Sequence, residues 1–409
     1  MSKEEPELKV KIKGKIRDLL AFSKLTSKRE KKIEKASAEP IETDFLKQLA
    51  KNLHPNYQHL IIDKIIKETK SSQTFRLIAD PESETKKLAY FRAGQYISLK
   101  VNINGYSITR PYTISSSPTD VTRGFYEITI KKEENGFLTN YIWENWNEGT
   151  KILSSGPEGF FYYQPVRDSK NIVGIAGGSG ITSFRSIAKE IAEGILDINL
   201  TILYGCSDEE DILFYEELKD LESKFPTKIK LVIALSCEEI TMEGCEKGFI
   251  SSDIIKKYAD IRKNTFFICG PQMMYDYIDG EIDKLKIPEK RIRKEVYGEI
   301  KDVLKFPDYP RENLEKIYNI KVHIGNIPKE IPAKATDTIL VSMEKAKISP
   351  PSSCRSGECG FCRSYLVSGE IFVPSKSDGR RAAEKQFNYF HPCSSYPKSD
   401  LEIVVPRKK

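Results

Sequence analysis

Between residues 58 and 165 apolar and polar positions alternate in short runs. HLIIDKIIKE, TFRLIAD, QYISLKVNING, RPYTISSS, FYEITIKKE and TKILSSGPEGFF follow one another, broken by Gly, Pro, Asn and Ser. A period of two reads as a strand, and strands that succeed one another without long helices predict a β-barrel or sandwich. From Asn171 the pattern changes. The apolar runs NIVGIA, NLTILYG, IKLVIALS and TFFICG alternate with the helical-period runs ITSFRSIAKEIAEG, EEDILFYEELKDLESK, SSDIIKKYA and PQMMYDYIDGEIDKLK. That alternation predicts a parallel sheet with crossover helices. Residues 288–315, with PEK, FPDYP and PRE, have linker composition, and YNIKVHI opens a last small domain.

The expected organisation is a 1–57 extension, a 58–166 β-barrel and a 167–300 α/β domain, then a 301–316 linker and a 317–409 C-terminal domain. In the extension, Val10–Leu25 has apolar residues at mixed spacing with lysines between them. This pattern fits a surface helix or a mobile tail, with a basic amphipathic helix on a membrane as the alternative.

Composition narrows the class. Of 409 residues, 39% are hydrophobic and 30% charged, and no apolar run reaches membrane-spanning length. The N-terminus lacks a signal-peptide core, and Cys206, Cys237, Cys245 and Cys269 read as reduced thiols, so the expected compartment is the cytoplasm. Residues 1–40 carry net +5, residues 41–315 net −6 and residues 316–409 net +7. A basic C-terminal domain steers toward an acidic partner protein, or docks on the acidic middle of its own chain. Nothing points to nucleic acid.

The chemistry is concentrated in CRSGECGFC. Cys354, Cys359 and Cys362, with Cys393 in HPCSSYP, give the spacing C-x4-C-x2-C…C of plant-type 2Fe–2S ligation. Gly357 and Gly360 give the loop backbone freedom, and Ser352, Ser353, Arg355 and Ser356 add donors toward sulfur. Structural zinc prefers two close-set pairs, which this spacing lacks.

IAGGSGIT is the second site. A strand ends in Gly177 and Gly178, followed by Ser179 and Gly180, and a helix begins near Ile181 and Thr182. Such a turn admits a pyrophosphate to backbone N–H groups at a helix N-terminus, although a tight strand-to-helix connection gives the same letters. Cys269, Gly270, Pro271 and Met274 lie at the end of the last predicted strand, where ligands of open α/β sheets bind. A plain buried thiol is the alternative for Cys269. A nicotinamide delivers two electrons and a 2Fe–2S cluster takes one, so a flavin is expected between them. Arg110, Pro111, Tyr112 and Thr113 are its candidate cradle.

Together these motifs resemble the ferredoxin–NADP reductase superfamily with an attached plant-type ferredoxin domain, the layout of phthalate dioxygenase reductase. The resemblance covers about residues 58–409 and implies a β-grasp fold for the last domain. It implies that Arg110 binds flavin phosphate, that Tyr112 packs on the ring and that Thr113 sits near N5. It also implies that Gly136, Phe137, Leu138 and Thr139 hold the flavin phosphate, and that Cys269 lies beside the nicotinamide. Tyr297 in KEVYG is the candidate cover for the other flavin face. FAD is preferred over FMN. Tyr204, Cys206, Ser207 and Asp208 are expected around the adenosine ribose, and Asp208, Glu209 and Glu210 favour NADH over NADPH by repelling a 2′-phosphate. Ser183 stands where the family often has Pro.

The expected function is electron transfer from NADH through FAD and the cluster to an acceptor protein, with Thr113 and Cys269 at the hydride-transfer point. An oxygenase, hybrid cluster protein or other reductase component all fit as acceptor. The competing readings are a reductase acting on a small molecule at the flavin and a redox-sensing electron-transfer subunit.

Overall fold

The computed structural model describes residues 16–36, 44–134, 136–298, 302–325, 327–375 and 378–406. Two helices come first, α1 (Ile16–Glu34) and α2 (Phe45–Leu53). Residues 10–15 of the expected N-terminal helix lie outside the described residues. On α2, Phe45, Leu46, Leu49 and Leu53 are exposed.

The first domain is the expected antiparallel barrel. Its strands are β1 (Gln58–Lys67), β2 (Ser72–Ala79), β3 (Tyr96–Ile103), β4 (Tyr106–Thr113), β5 (Phe125–Lys131) and β6 (Lys151–Ser154), in the order β4-β3-β6-β1-β2-β5. Closure comes from an Ile114–Ile128 bridge and from Ser115 N donating to Glu127 O at 2.7 Å. The β3–β4 turn is Asn104-Gly105, with φ of 49° and 84°, the left-handed pair that a two-residue hairpin demands. Alternation fills the interior with Leu60, Ile62, Phe75, Leu77, Ile97, Leu99 and Ile128, and α3 (Phe137–Asn145) adds Leu138 and Ile142 to that core.

The second domain is a six-stranded parallel sheet. Its elements are β7 (Asn171–Gly177), α4 (Ile181–Ala192), β8 (Asn199–Cys206), α5 (Tyr215–Lys224), β9 (Ile229–Leu235), β10 (Glu246–Lys247), α6 (Ser252–Tyr258), β11 (Thr265–Cys269), α7 (Gln272–Leu285) and β12 (Ile292–Glu295). The strand order is β10-β9-β8-β7-β11-β12, so the order reverses between β7 and β11, where ligands bind in open α/β sheets. Strand β12 falls inside the stretch of linker composition. It pairs with β11 from Phe266–Ile292 to Cys269–Glu295, a short half-exposed edge strand whose charged letters hide its pairing.

The last domain has β13 (Ile317–Ile324), β14 (Ile327–Lys334), α8 (Ile339–Lys345), β15 (Ser364–Ser368), β16 (Ile371–Phe372), α9 (Ala382–Gln386), β17 (Tyr389–Phe390), β18 (Tyr396–Pro397) and β19 (Leu401–Val404). The mixed sheet β14-β13-β19-β15-β17, with β13 and β19 parallel and α8 packed on it, is the expected β-grasp arrangement. The preceding segment is strapped to this domain. Val303 and Tyr309 join Phe372 and Tyr396 in a small core, and Tyr309 OH donates to Ala335 O at 3.0 Å.

Candidate functional site

Three predicted motifs from two domains meet at the ends of β4, β7, β11 and β12. Thr113 closes β4, and its Oγ1 donates to Tyr297 OH at 3.0 Å. Tyr297 stands edge-on to Tyr96 with ring centroids 5.6 Å apart. Burial pushes the Cys269 thiol up to about 12, with Glu295 adding to the effect, so at neutral pH it is a thiol and not a nucleophile. Ser183 Oγ reaches Cys269 Sγ at 3.7 Å, which gives a role to the serine that replaces the family's proline.

The glycines divide into two kinds. A Cβ on Gly180 would stand 2.0 Å from Cys269 O, and one on Gly177 or Gly270 would stand 2.4 Å from Met274 Sδ. These three are glycine because the two turns interlock. Gly178 differs, having φ +50° and open space where a Cβ would go. It is the point at which a pyrophosphate can approach the backbone.

The structure corrects one ribose residue. Tyr204 is fully buried in the sheet core, where its OH accepts from Leu213 N at 3.1 Å, so its ring is a packing element. Ser207 and Asp208 are exposed at the end of β8. The acidic run is largely engaged elsewhere. Glu209 accepts from the Thr241 and Met242 backbone, Glu210 pairs with Lys70, and Asp211 pairs with Lys131 at 2.8 Å.

On the flavin side, Leu138 is buried in the barrel core and can offer only backbone. Thr139 Oγ1 accepts from Glu133 N at 3.2 Å and donates to Gly136 O at 3.3 Å, while Phe137 is exposed at the start of α3. Arg110 donates to Thr109 O at 3.0 Å; burial works against its charge and Glu344 of α8 favours it. Pro111 is buried, and Tyr112 packs on the barrel core.

Sequence reasoning gave Glu295 no role. Its Oε2 is buried without a hydrogen-bond partner in the described structure, and burial, with Glu358 and Cys354 adding and a hydrogen bond with Tyr297 opposing, pushes the carboxyl well up. Its Oε1 would lie 3.7 Å from a Cβ on Gly159. A buried, unsatisfied polar atom among Tyr297, Cys269 and the first cluster cysteine fits a site that a cofactor completes. The acidic residue two before the guessed aromatic was the available signal.

The cysteines form two pairs. Cys362 Sγ lies 3.4 Å from Cys393 Sγ, and Cys359 N donates to Cys354 Sγ at 3.4 Å. Phe361 N reaches Cys359 Sγ at 3.5 Å. Two thiol pairs with N–H groups aimed at sulfur fit a two-iron cluster. Arg355 (φ +59°), Gly357 (φ +86°) and Gly360 (φ +70°) supply the left-handed turns of the loop.

The loop faces the barrel. Ser353 Oγ is 2.9 Å from Ser98 Oγ and also bonds Glu158. Arg355 is 1% exposed and forms a bidentate pair with Glu344 at 2.5 and 2.8 Å. Burial pushes Glu344 up to about 7 while burial and Arg110 push Arg355 down, so two cations share one carboxylate here. A hydroxyl-lined cavity of about 260 Å³ between Ser107, Thr109, Ser154 and Ser349 separates the two domains beyond these contacts.

Comparison with known proteins agrees with this geometry. Residues 60–163 match the oxidoreductase FAD-binding domain, residues 175–279 the oxidoreductase NAD-binding domain, and residues 322–398 the 2Fe-2S iron-sulfur cluster binding domain. The chain is 24% identical over 350 residues to a glycine betaine monooxygenase reductase subunit of Chromohalobacter salexigens, covering 83% of this chain and 93% of that one. It is 30% identical over 250 residues to NADH-cytochrome b5 reductase 1 of Dictyostelium discoideum, covering 60% of this chain and 84% of that one. The solved structure of phthalate dioxygenase reductase superposes with a TM-score of 0.60 at 23% identity, covering 86% and 98% of the two chains. The three domains in this order, with the cluster loop bonded to the flavin domain, place the chain in the ferredoxin–NADP reductase superfamily as a member with a C-terminal 2Fe–2S ferredoxin domain.

Proposed function

We propose that this protein is the NADH-dependent reductase component of a multicomponent redox system and that its acceptor is an oxygenase-type protein. The observation that carries the reading is that Thr113 and Tyr297 meet across the flavin and nicotinamide domains while the cluster loop bonds the same barrel through Ser353. The partner class is supported by relatives whose names are those of oxygenase reductases. Bound FAD and the 2Fe–2S cluster supply the conversion of a two-electron hydride into single electrons.

The chain's own residues prepare that chemistry. Gly178 and the α4 N-terminus receive the dinucleotide phosphates, and Ser207 and Asp208 flank its adenosine end. Cys269, held neutral, gives a small apolar wall beside the nicotinamide. Thr113 would offer a hydroxyl to a bound flavin, and Tyr297, to which Thr113 Oγ1 donates, would cover one face of its ring. Arg110, Gly136, Phe137 and Thr139 line the flavin phosphate end. Cys354, Cys359, Cys362 and Cys393 hold the cluster.

An anaerobic NADH titration of the holoprotein tests the scheme. Flavin and cluster absorbance bleach together in the parent, and Cys393→Ser loses the cluster band while NADH still reduces the flavin. Undiminished reduction of a one-electron acceptor protein by that variant refutes it.

A further inference from the structure

The cluster loop has a buried side and an open side. Ser352, Ser353, Cys354 and Arg355 are buried toward the barrel, whereas Cys359 is the exposed cysteine of the four. Electrons that arrive at the Cys354 edge therefore have a different, solvent-facing edge by which to leave.

The surface around that open edge is built by two segments. Gly379 packs on the loop so closely that a Cβ there would lie 2.5 Å from Gly357 O and 3.0 Å from Glu358 Cα. This brings the 378–385 segment alongside Cys359. Gly360 sits above Glu384, with Oε1 3.9 Å from where its Cβ would be. On the other side β15 leaves Cys362 and pairs Tyr365 with Tyr389 of β17. The two rings are 5.5 Å apart and both 38% exposed, and the Arg363 guanidinium lies 5.5 Å from the Tyr389 ring centre.

Charge is unequally exposed on this surface. The Glu384 and Asp378 side chains are only 11% and 14% exposed and are held by Arg363 and by Arg380 and Lys385. The Arg363 and Lys385 side chains are 56% and 48% exposed, and Arg381 is exposed as well. The acids lie beneath and the bases on top, with Glu358 the exposed acid at the loop. Exposed tyrosine and arginine are residue types enriched at protein–protein interfaces, and the charged rim adds steering.

We propose that the electron acceptor docks on this surface, around Cys359, with an acidic face set against Arg363, Arg381 and Lys385 and its centre on Tyr365 and Tyr389. The proposal deepens the reductase reading and rests on it. Each docking event passes one electron from the reduced cluster to the acceptor. One NADH, giving NAD⁺, a proton to solvent and two electrons, thus serves two acceptor molecules.

The test uses the holoprotein, NADH and two one-electron probes, an acidic Rieske-type ferredoxin, whose potential lies above that of a plant-type cluster, and basic cytochrome c. In the parent, kcat/KM for the acidic probe falls about 10-fold between low and high salt, because attraction between exposed charges is screened. The double variant R381E/K385E lowers kcat/KM for the acidic probe at low salt by roughly 10-fold and leaves NADH-driven bleaching of flavin and cluster as in the parent. It also raises kcat/KM for cytochrome c. Acidic-probe kinetics that ignore both salt and charge reversal overturn the docking proposal while leaving the reductase reading intact. A parent cluster that NADH fails to bleach overturns both.

Discussion

Replacing Arg185 with Met tests how the nicotinamide domain is held to the flavin domain. Arg185 lies on α4, five residues past Gly180, and is 8% exposed. It bonds Glu127 of β5 at 2.9 Å, Ser115 O at 3.3 Å and Glu217 of α5 at 2.6 Å, and its guanidinium lies 4.3 Å from the Phe214 ring centre. Burial raises the Glu127 carboxyl pKa, but Arg185 and Arg76 outweigh it and hold that pKa below its usual value. Removing one member of a buried ion pair costs about 3–5 kcal/mol, because the partner keeps its desolvation penalty. Here Arg76 remains on Glu127 at 2.9 Å and the Glu217 side chain is 34% exposed, so the lower end applies, about 3 kcal/mol. With the two domains unfolding as one unit of about 240 residues, the expected loss is roughly 6–12 °C in Tm. Thermal unfolding followed by FAD release and far-UV circular dichroism reads it. Adding Glu127→Gln removes the stranded charge, so R185M/E127Q loses less than the sum of its two parts by about 1 kcal/mol or more. An R185M Tm within about 1 °C of the parent, or strict additivity in the cycle, refutes the reasoning. The sign with pH also follows. A carboxyl lowered on folding stabilises above its unfolded pKa, and that contribution fades as pH falls through the folded value, so the R185M deficit shrinks in acid.

Three further outcomes are expected. Gly180→Ala puts a methyl 2.0 Å from Cys269 O, so it separates the interlocked turns and raises KM for NADH at least about 10-fold while FAD stays bound, as steady-state kinetics with flavin quantitation shows. Burial, with Glu193 adding, pushes Glu190 up to about 7, so the folded chain keeps a proton that the unfolded chain has lost between about pH 4.5 and 7. Glu190→Gln therefore raises Tm by a few degrees at pH 8, worth about 1–2 kcal/mol after allowing for partial exposure, and has no such benefit at pH 4. Because Glu209 and Glu210 are engaged elsewhere, Asp208→Ala narrows the NADH/NADPH preference in kcat/KM and Glu210→Ala leaves it unchanged.

How much of this was legible in the letters depended on where each structural cause resides. Strand alternation and the β-α rhythm are local, and the barrel and the parallel sheet followed from them, whereas the β-grasp fold of the last domain came only from the resemblance. The cysteine spacing carried its chemistry in sequence, because three of its four members share one loop. Tyr204 went astray because a tyrosine at a strand end serves a core or a ligand equally well, and only the position of Leu213 N decides between them. Glu295 was missed because β12 is a four-residue edge strand with three charged letters. Gly177 and Gly180 looked like cofactor glycines, yet their constraint is the neighbouring turn, which lies some 90 residues away in sequence and against them in space.

The exposed Cys359 has a second consequence, for the lifetime of the cluster. Three cysteines are sealed at 6% exposure or less, so oxygen and chelators reach the metal through the corner left for the acceptor. A seated acceptor closes that corner. Idle protein is then the perishable form, and iron is lost fastest when no acceptor is present.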